Sequence, residues 1–139
     1  MTRPKTPLLT VDALIVYKSA KLILIKRKNP PFKGEYALPG GFVDIGETVE
    51  EACIREAIEE TNIDVKITKL VGVYSDPNRD PRSHTVSIAF LCTPQTHNEQ
   101  PKAQDDAADL DLIAFKQIPN LELAFDHMRI IQDAGLLQS

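Results

Sequence analysis

Residues 41–63 read GFVDIGETVEEACIREAIEETNI, and this stretch decides how the rest of the chain is arranged. It follows Pro39 and Gly40, and the run Pro-Gly-Gly interrupts regular structure because glycine permits positive φ. A helix is predicted to begin at Thr48 or Glu47, since such side chains satisfy the unpaired N–H groups of a helix start. The pattern therefore predicts a glycine loop that leads directly into an acidic helix.

Three glutamates of the predicted helix, Glu56, Glu59 and Glu60, follow the spacing i, i+3 and i+4, so their carboxylates share one helical face. Like charges packed this closely repel each other unless a cation lies between them. Carboxylate oxygens are hard ligands, which suit Mg²⁺ or Mn²⁺. The alternative is a solvated acidic helix with chance spacing, but it explains neither the upstream glycines nor Arg55 beside the carboxylates.

The same positions resemble the signature of the Nudix hydrolases. In that signature a glycine, a glutamate, an Arg-Glu pair, a Glu-Glu pair, a second glycine and an apolar residue follow at fixed spacing. The matching residues here are Gly41, Glu47, Arg55, Glu56, Glu59, Glu60 and Ile63. One position departs, since Asn62 stands in place of the second glycine. Asparagine adopts the left-handed conformation that ends helices better than any residue except glycine, so the departure is mild.

The resemblance implies a role for each matching residue. In Nudix hydrolases, water attacks one phosphorus of the pyrophosphate in a nucleoside diphosphate linked to another group, with the help of a divalent metal. Carried over by position, the ligands of Mg²⁺ or Mn²⁺ are Glu56, Glu59, Glu60, the backbone carbonyl of Gly41 and, as a further contact, Glu47. Arg55 is expected to orient Glu47 or Glu59 through forked hydrogen bonds. Its alternative is an exposed helix salt bridge to Glu51 or Glu59, which contributes little.

The composition indicates the class of protein. At 139 residues the chain is expected to form one domain, residues 1–139, with a core of its own. An apolar fraction of 42% and a charged fraction of 26% are typical of a soluble globular protein. The net charge of -4 argues against nucleic acid as a partner, because that would favour a basic surface. An acidic protein that binds a polyanionic nucleotide needs a metal to screen it, which agrees with the glutamate helix.

The cysteines and the apolar runs bear on the cellular compartment. Cys53 lies in the predicted helix and Cys92 in an apolar strand-like run, so both are expected to be reduced core residues of a cytoplasmic protein. Neither a signal peptide nor an apolar run of membrane length is found, so no membrane partner is expected. Many Nudix relatives are dimers, so the resemblance leaves a homodimer as an alternative to a monomer.

Alternating apolar residues predict strands on both sides of the acidic helix. Before the helix, a hairpin is predicted at residues 8–17 and 22–25, with a short extended piece at 35–38. After it, strands are predicted at residues 64–74, 84–92 and 110–115, the first of them bulged, and a final helix at 121–137. Core spacing in that last helix is shown by Leu121, Phe125, Met128 and Ile131. This order predicts an α/β fold with a mixed central sheet, and the Nudix resemblance implies an α/β/α sandwich.

Substrate choice must come from residues outside the motif. Residues 71–77, VGVYSDP, and the arginines after them resemble the corresponding stretch of small ADP-ribose pyrophosphatases. The predicted substrate-binding residues are Arg27, Tyr36, Asp76, Arg79 and Arg82. Arginines suit a diphosphate or a terminal ribose, and Tyr36 or Phe32 suits stacking on adenine. The alternatives are that Arg79 and Arg82 are solvated and that Tyr36 belongs to the core.

The general base is expected on the acidic loop before the last strand, where relatives of ADP-ribose pyrophosphatases often carry an acidic residue. Here that loop is residues 105–109, DDAAD. Asp106 or Asp105 is the favoured base, and Glu56 or Glu59 is the rival. The alternative is that the loop is a solvated acidic turn with no role in catalysis.

The function that these features predict is Mg²⁺-dependent hydrolysis of ADP-ribose to AMP and ribose 5-phosphate. Oxidised nucleoside triphosphates and dinucleoside polyphosphates are alternative substrates, since the motif does not choose among them. A different class is a Nudix-like sensor that binds ADP-ribose and regulates transcription, but this chain keeps its glutamates and has no room for a winged helix. His84 is expected at a strand end and His127 on a helix surface, because neither has a catalytic partner at useful spacing.

Overall fold

A computed structural model describes residues 2–96, 99–103 and 107–137 of the chain. The elements in chain order are β1 Leu8–Tyr17, β2 Lys21–Arg27, β3 Tyr36–Ala37, β4 Gly40–Phe42, α1 Val49–Thr61, β5 Val65–Tyr74, β6 Thr85–Pro94, β7 Ala107–Ala114, a 3₁₀ helix Phe115–Asn120, and α2 His127–Asp133. The predicted order of strands and helices is therefore present. The last strand begins at Ala107 rather than at residue 110, because β7 pairs with the whole of β2.

In the described part of the chain, seven strands join one mixed sheet with β1 at its centre. Strand β1 is parallel to β6 and antiparallel to β2 and β4. Beyond β6 lies the antiparallel strand β5, and β2 pairs with both β3 and β7. The register between β5 and β6 shifts at two places, which are the irregularities expected in residues 64–74.

Alternation along β1 gives the sheet two apolar faces, because successive side chains of a strand point to opposite sides. Val11, Ala13 and Ile15 pack in one buried cluster with residues of α1. Leu14 packs in a second cluster with Ile130 of α2 and with residues of the 3₁₀ helix. The predicted α/β/α arrangement, with the mixed sheet between the helices, is confirmed.

Helix α1 begins and ends as the motif predicts. The Thr48 hydroxyl accepts the Glu51 N–H at 3.1 Å, and the Glu51 carboxylate accepts the Thr48 N–H at 2.9 Å, so a complete capping box starts the helix. At its other end Asn62 has a left-handed φ of 66°, and its N–H donates to the Ile58 carbonyl at 2.9 Å. Asparagine in place of the signature glycine therefore leaves the helix end intact.

The predicted helix over residues 121–137 is too long. Helix α2 covers only His127–Asp133, and the chain before it pairs with β3 through a bridge between Tyr36 and Leu123. Phe125 has a φ of 54°, which a right-handed helix does not permit. Leu121, Met128 and Ile131 still pack in one core cluster. The apolar periodicity therefore predicted the burial of these residues correctly but the length of the helix wrongly.

Both cysteines are buried and free, as predicted. Cys53 of α1 and Cys92 of β6 lie with their Sγ atoms 3.8 Å apart in the core between helix and sheet. Among the described residues, no helix has both the length and the apolar character needed to cross a membrane.

Gly40 provides a test of how closely β4 lies against β1. A Cβ at this position would lie 2.1 Å from the Val11 carbonyl oxygen and 2.7 Å from Asp12 Oδ1. Because the nearest of these atoms is backbone and cannot move without separating the strands, Gly40→Ala should lower the free energy of unfolding in urea by about 2 kcal/mol or more.

The matched control for this substitution is Gly72→Ala in β5. There a Cβ would first meet the side chain of Tyr74, at 3.2 Å, which can shift by a few tenths of an ångström. We expect Gly72→Ala to change the free energy of unfolding by less than about 1 kcal/mol. Equal decreases in the free energy of unfolding in the two variants would contradict the close approach of β4 and β1.

Candidate functional site

The site lies where β4 meets the second half of α1. Glu60 is buried, and its Oε1 accepts the Gly40 N–H at 3.0 Å. A Cβ at Gly41 would lie 2.6 Å from the carboxyl carbon of Glu56, so only glycine lets that carboxyl group approach the strand. The glycine loop and the helix carboxylates are therefore in direct contact.

Arg55 joins three of the carboxylates. Its Nε and Nη2 donate to the two oxygens of Glu47 at 2.7 and 2.9 Å, which forms a fork. Its Nη1 donates to Glu56 at 2.8 Å and to Glu59 at 3.0 Å. Glu51, the partner in the alternative interpretation, instead caps the start of the helix. Arg55 thus fixes the orientation of the acidic side chains around it.

The acidic groups of this cluster differ in protonation. The fork from Arg55 and the Asp44 backbone N–H lower the pKa of Glu47 to about 2, so Glu47 is ionised at neutral pH. Burial raises the pKa of Glu56 and of Glu60, the latter to about 9. A hydrogen bond between these two carboxyl groups adds to the rise at Glu60. Without a further cation, the pair therefore holds a proton at neutral pH.

These residues are chemically suited to bind a divalent cation, although their side chains are not already arranged around one metal position. Within residues 2–96, 99–103 and 107–137, no three His, Cys, Asp or Glu side chains already surround a common metal position. Arg55 supplies the positive charge among the carboxylates. The donors are hard oxygens, and two of them share a proton that a cation would displace, which suits Mg²⁺ or Mn²⁺. The groups that would hold it are Glu56, Glu59, Glu60, Glu47 and the Gly41 carbonyl.

Two adjoining pockets open beside the carboxylates and form one cleft. The residues that line both pockets are Ile25, Arg27, Gly40, Gly41, Phe42, Glu60 and Arg82. One of the two pockets is also lined by Arg79 and His127, and the other is also lined by Arg55 and Glu56. All three predicted substrate arginines, Arg27, Arg79 and Arg82, therefore line the same cleft as Glu56 and Glu60.

Arg79 and Arg82 are held by different partners. Arg79 forks onto Asp126 at 2.7 and 2.9 Å and donates to Thr85 Oγ1 at 2.9 Å, and its side chain is only 5% exposed. The alternative of a solvated Arg79 is therefore wrong. The Arg82 side chain is 49% exposed and pairs with Asp80 at 2.8 Å. Arg82 is thus the more accessible of the two to a ligand.

The remaining predictions fall outside this cleft. The Tyr36 hydroxyl donates to Asp111, and this hydrogen bond raises the pKa of Tyr36 to about 12. Asp76 accepts the Asn78 N–H at 2.8 Å and borders other pockets. The structure therefore does not bring Tyr36 or Asp76 to the carboxylates. The predicted bases, Asp105 and Asp106, lie outside the described residues.

The prediction that His127 lies on a helix surface is wrong. His127 is buried, and its Nδ1 accepts the Leu38 N–H at 2.9 Å. Its Nε2 lies 3.4 Å from Asp12 Oδ1, and the other oxygen of Asp12 accepts the Ser87 hydroxyl at 2.5 Å. Burial lowers the pKa of His127, so the ring is neutral. No local sequence pattern could predict this hydrogen bond, because Leu38 and His127 are 89 residues apart.

Comparison with known proteins places the chain in a family. Residues 6–134 match the NUDIX domain. The ADP-ribose pyrophosphatase of Methanocaldococcus jannaschii is 50% identical over 127 residues, which are 91% of this chain and 72% of that enzyme.

Solved structures agree with this match. The NUDIX domain of Shewanella oneidensis NrtR, complexed with ADP ribose, is 27% identical with a TM-score of 0.82, over 94% of this chain and 88% of that one. A bifunctional NMN adenylyltransferase/ADP ribose pyrophosphatase of Francisella tularensis, complexed with AMP and a Mn ion, is 33% identical with a TM-score of 0.82, over 94% of this chain and 42% of that one. The chain belongs to the NUDIX domain family.

Proposed function

We propose that this protein is a metal-dependent pyrophosphohydrolase that cleaves ADP-ribose to AMP and ribose 5-phosphate. The observation that carries the proposal is one cleft lined both by Glu56 and Glu60 of α1, which we call the acidic wall, and by Arg27, Arg79 and Arg82, which we call the arginine wall. A diphosphate bound in this cleft can meet both a metal held by the carboxylates and the guanidinium groups. The relatives named for ADP-ribose, one of them 50% identical, support this choice of substrate.

The reaction transfers a phosphoryl group to water. A bond forms between the water oxygen and one phosphorus, the bond from that phosphorus to the bridging oxygen breaks, and the base receives the proton of the water. When bound, Mg²⁺ or Mn²⁺ offsets the charge of the diphosphate and lowers the pKa of a coordinated water. The chain's own contribution is to hold the glutamates through Arg55 and to hold the diphosphate through Arg27, Arg79 and Arg82.

The proposal extends to the setting in which the enzyme acts. Residues 1–139 are taken as one NUDIX domain that acts in the cytoplasm on a small nucleotide, with Mg²⁺ as the preferred ion. A homodimer is suggested by the family resemblance alone. The molecular mass in solution, at the protein concentration of the activity assay, will show whether the protein is a monomer or a dimer.

A panel of nucleotides tests the substrate. With Mg²⁺ present, we expect kcat/KM to be higher for ADP-ribose than for oxidised nucleoside triphosphates or dinucleoside polyphosphates, by roughly tenfold or more. The products should be AMP and ribose 5-phosphate, and EDTA should abolish their release. A preference for an oxidised triphosphate would replace the substrate in the proposal. Tight binding of ADP-ribose without turnover would support the sensor alternative.

Glutamine substitutions on α1 test the metal ligands. Glu59→Gln and Glu60→Gln each remove a charged ligand at nearly constant volume, so both should lower kcat by roughly a hundredfold or more at saturating Mg²⁺. Glu50→Gln, in the exposed first turn of the same helix, is the matched control and should retain activity. Near-wild-type turnover of both ligand variants would contradict the assignment.

The same Glu60→Gln variant has a second expected result in metal-free protein. The Glu60 carboxyl keeps its proton up to about pH 9 in the folded chain, against 4.5 for the ordinary group, so the unfolded chain ionises first as the pH rises. Wild-type stability should therefore fall as pH rises through this range, because the unfolded state gains the ionised form. Thermal melts at pH 8 should show a higher Tm for Glu60→Gln than for wild type.

A carboxylate on the loop before β7 remains our proposal for the base. A carboxylate beside a cation is a weaker base, whereas one from a separate loop avoids this conflict. Asp106→Asn, or failing that Asp105→Asn, should lower kcat by roughly a hundredfold or more with little change in the Mg²⁺ concentration needed for half-activity. Asp109→Asn, at the third residue of β7, is the control and should keep its kcat. If both loop variants keep full kcat while Glu56→Gln loses it, the base belongs to α1.

A further inference from the structure

Three consecutive residues, Phe125, Asp126 and His127, contact three different parts of the cleft. Phe125 contacts two of its arginines, Asp126 holds the third, and His127 binds the backbone that leads into β4. These residues lie outside the NUDIX signature and form the entry into α2. We call residues 125–127 the bracket.

Phe125 lies among cations. The guanidinium carbon of Arg27 is 4.9 Å from the centre of its ring, and that of Arg82 is 5.7 Å from it. The Phe32 and Phe125 rings pack in an edge-to-face arrangement with centroids 4.9 Å apart. Both distances to the guanidinium groups lie within the range of cation–π attraction. The Phe125 ring therefore contacts both arginines that line both pockets of the cleft, in addition to the hydrogen bonds that Arg27 donates to the Pro31 carbonyl and Arg82 donates to Asp80.

Asp126 and His127 fix the neighbouring walls. Asp126 accepts both hydrogen bonds of the Arg79 fork, and Arg79 is buried, so Asp126 supplies the main compensation for its charge. His127 accepts the Leu38 N–H and thereby holds the chain two residues before Gly40. The arginine wall and the approach to the metal-facing strand are thus attached to adjacent residues.

The backbone of Phe125 makes this divergence possible. Its φ of 54° is unfavourable for a residue with a bulky side chain and persists only where the surroundings impose it. A regular helix through residues 124–128 would instead point successive side chains around one axis. The left-handed residue breaks that periodicity, so the three side chains reach separate parts of the cleft.

We infer that the bracket is a positioning element for substrate, which sets Arg27, Arg79 and Arg82 relative to the β4 backbone. The inference rests on the proposed function, because it takes the diphosphate as the group that the arginines meet. Phe125 acts through the arginines and Asp126 through Arg79. Loss of either side chain is expected to weaken diphosphate binding while leaving the carboxylates of α1 in place.

The first test compares two Phe→Leu substitutions. Phe125→Leu removes the ring that faces the arginines, whereas Phe115→Leu removes a ring that packs in the core cluster beside α2. Phe125→Leu should raise KM for ADP-ribose roughly three- to thirtyfold and leave kcat within about twofold. Phe115→Leu should lower Tm without changing KM. Phe125→Tyr keeps an aromatic face and should restore the KM of wild type.

A double-mutant cycle adds a second, independent result. If Phe125 acts through Arg82, the fold increase in KM of the double variant Phe125→Leu/Arg82→Ala should be smaller than the product of the fold increases of the two single variants. Asp126→Asn, which keeps the side-chain volume and removes the charge that pairs with Arg79, should also raise KM with little change in kcat. It replaces Phe125→Leu as the deciding variant if circular dichroism shows that the leucine variant is unfolded.

Calorimetric titration with inorganic pyrophosphate in the presence of Mg²⁺ separates this inference from the proposed function. Weaker pyrophosphate binding in Phe125→Leu, with wild-type binding in Phe115→Leu, supports the bracket even if wild type proves inactive on ADP-ribose. Unchanged KM and unchanged pyrophosphate affinity in folded Phe125→Leu and Asp126→Asn would overturn it. If the fold increase in KM of the double variant equals the product of those of the single variants, the link between Phe125 and Arg82 is overturned.

Discussion

Gly40 and Gly41 allow the backbone of β4 to lie against β1 and against the carboxyl groups of α1 at the same time. A Cβ at Gly40 would meet the Val11 carbonyl at 2.1 Å, and one at Gly41 would meet the Glu56 carboxyl group at 2.6 Å. Because neither position carries a side chain, one short strand pairs with β1 and also contacts the carboxyl groups of the acidic helix. The Gly40 N–H also holds the buried Glu60 carboxyl group, so the acidic wall of the cleft depends on this contact.

The placement of the acidic side chains works against the stability of the isolated helix. Glu56, Glu59 and Glu60 lie in the second half of α1, where the negative end of the helix dipole disfavours carboxylates. Two of them are also withdrawn from water, which raises the pKa of both. Arg55 offsets part of this cost through its hydrogen bonds to Glu47, Glu56 and Glu59. Groups whose pKa values depart this far from ordinary ones cluster at functional sites, and a merely solvated helix would not bury them.

The acidic wall could be predicted from the sequence because its residues are close together along the chain. A capping box, a helical spacing and a left-handed Asn62 are local features, and all of them are present in the structure. The length of the last helix and the burial of His127 could not be predicted in this way. Tyr36 and Leu38 hold residues 123–127 through contacts across the fold, and these contacts override the apolar periodicity that favoured a long helix. Phe125 fits that periodicity and packs against a small apolar cluster, but its backbone is left-handed and its side chain also lines the cleft.

The two walls of the cleft therefore differ in how their residues are distributed along the sequence. Residues 41–60 supply the acidic wall as one continuous segment, whereas the arginine wall combines the end of β2, the loop before β6 and the entry into α2. They meet at residues 38–40, where His127 binds Leu38 and Glu60 binds Gly40. A substitution in the loop before β6 is expected to change the arginine wall without moving α1, because the helix is anchored elsewhere. A substitution that shifts residues 38–40 is expected to act on both walls, since this one backbone segment donates the N–H that His127 accepts and the N–H that Glu60 accepts.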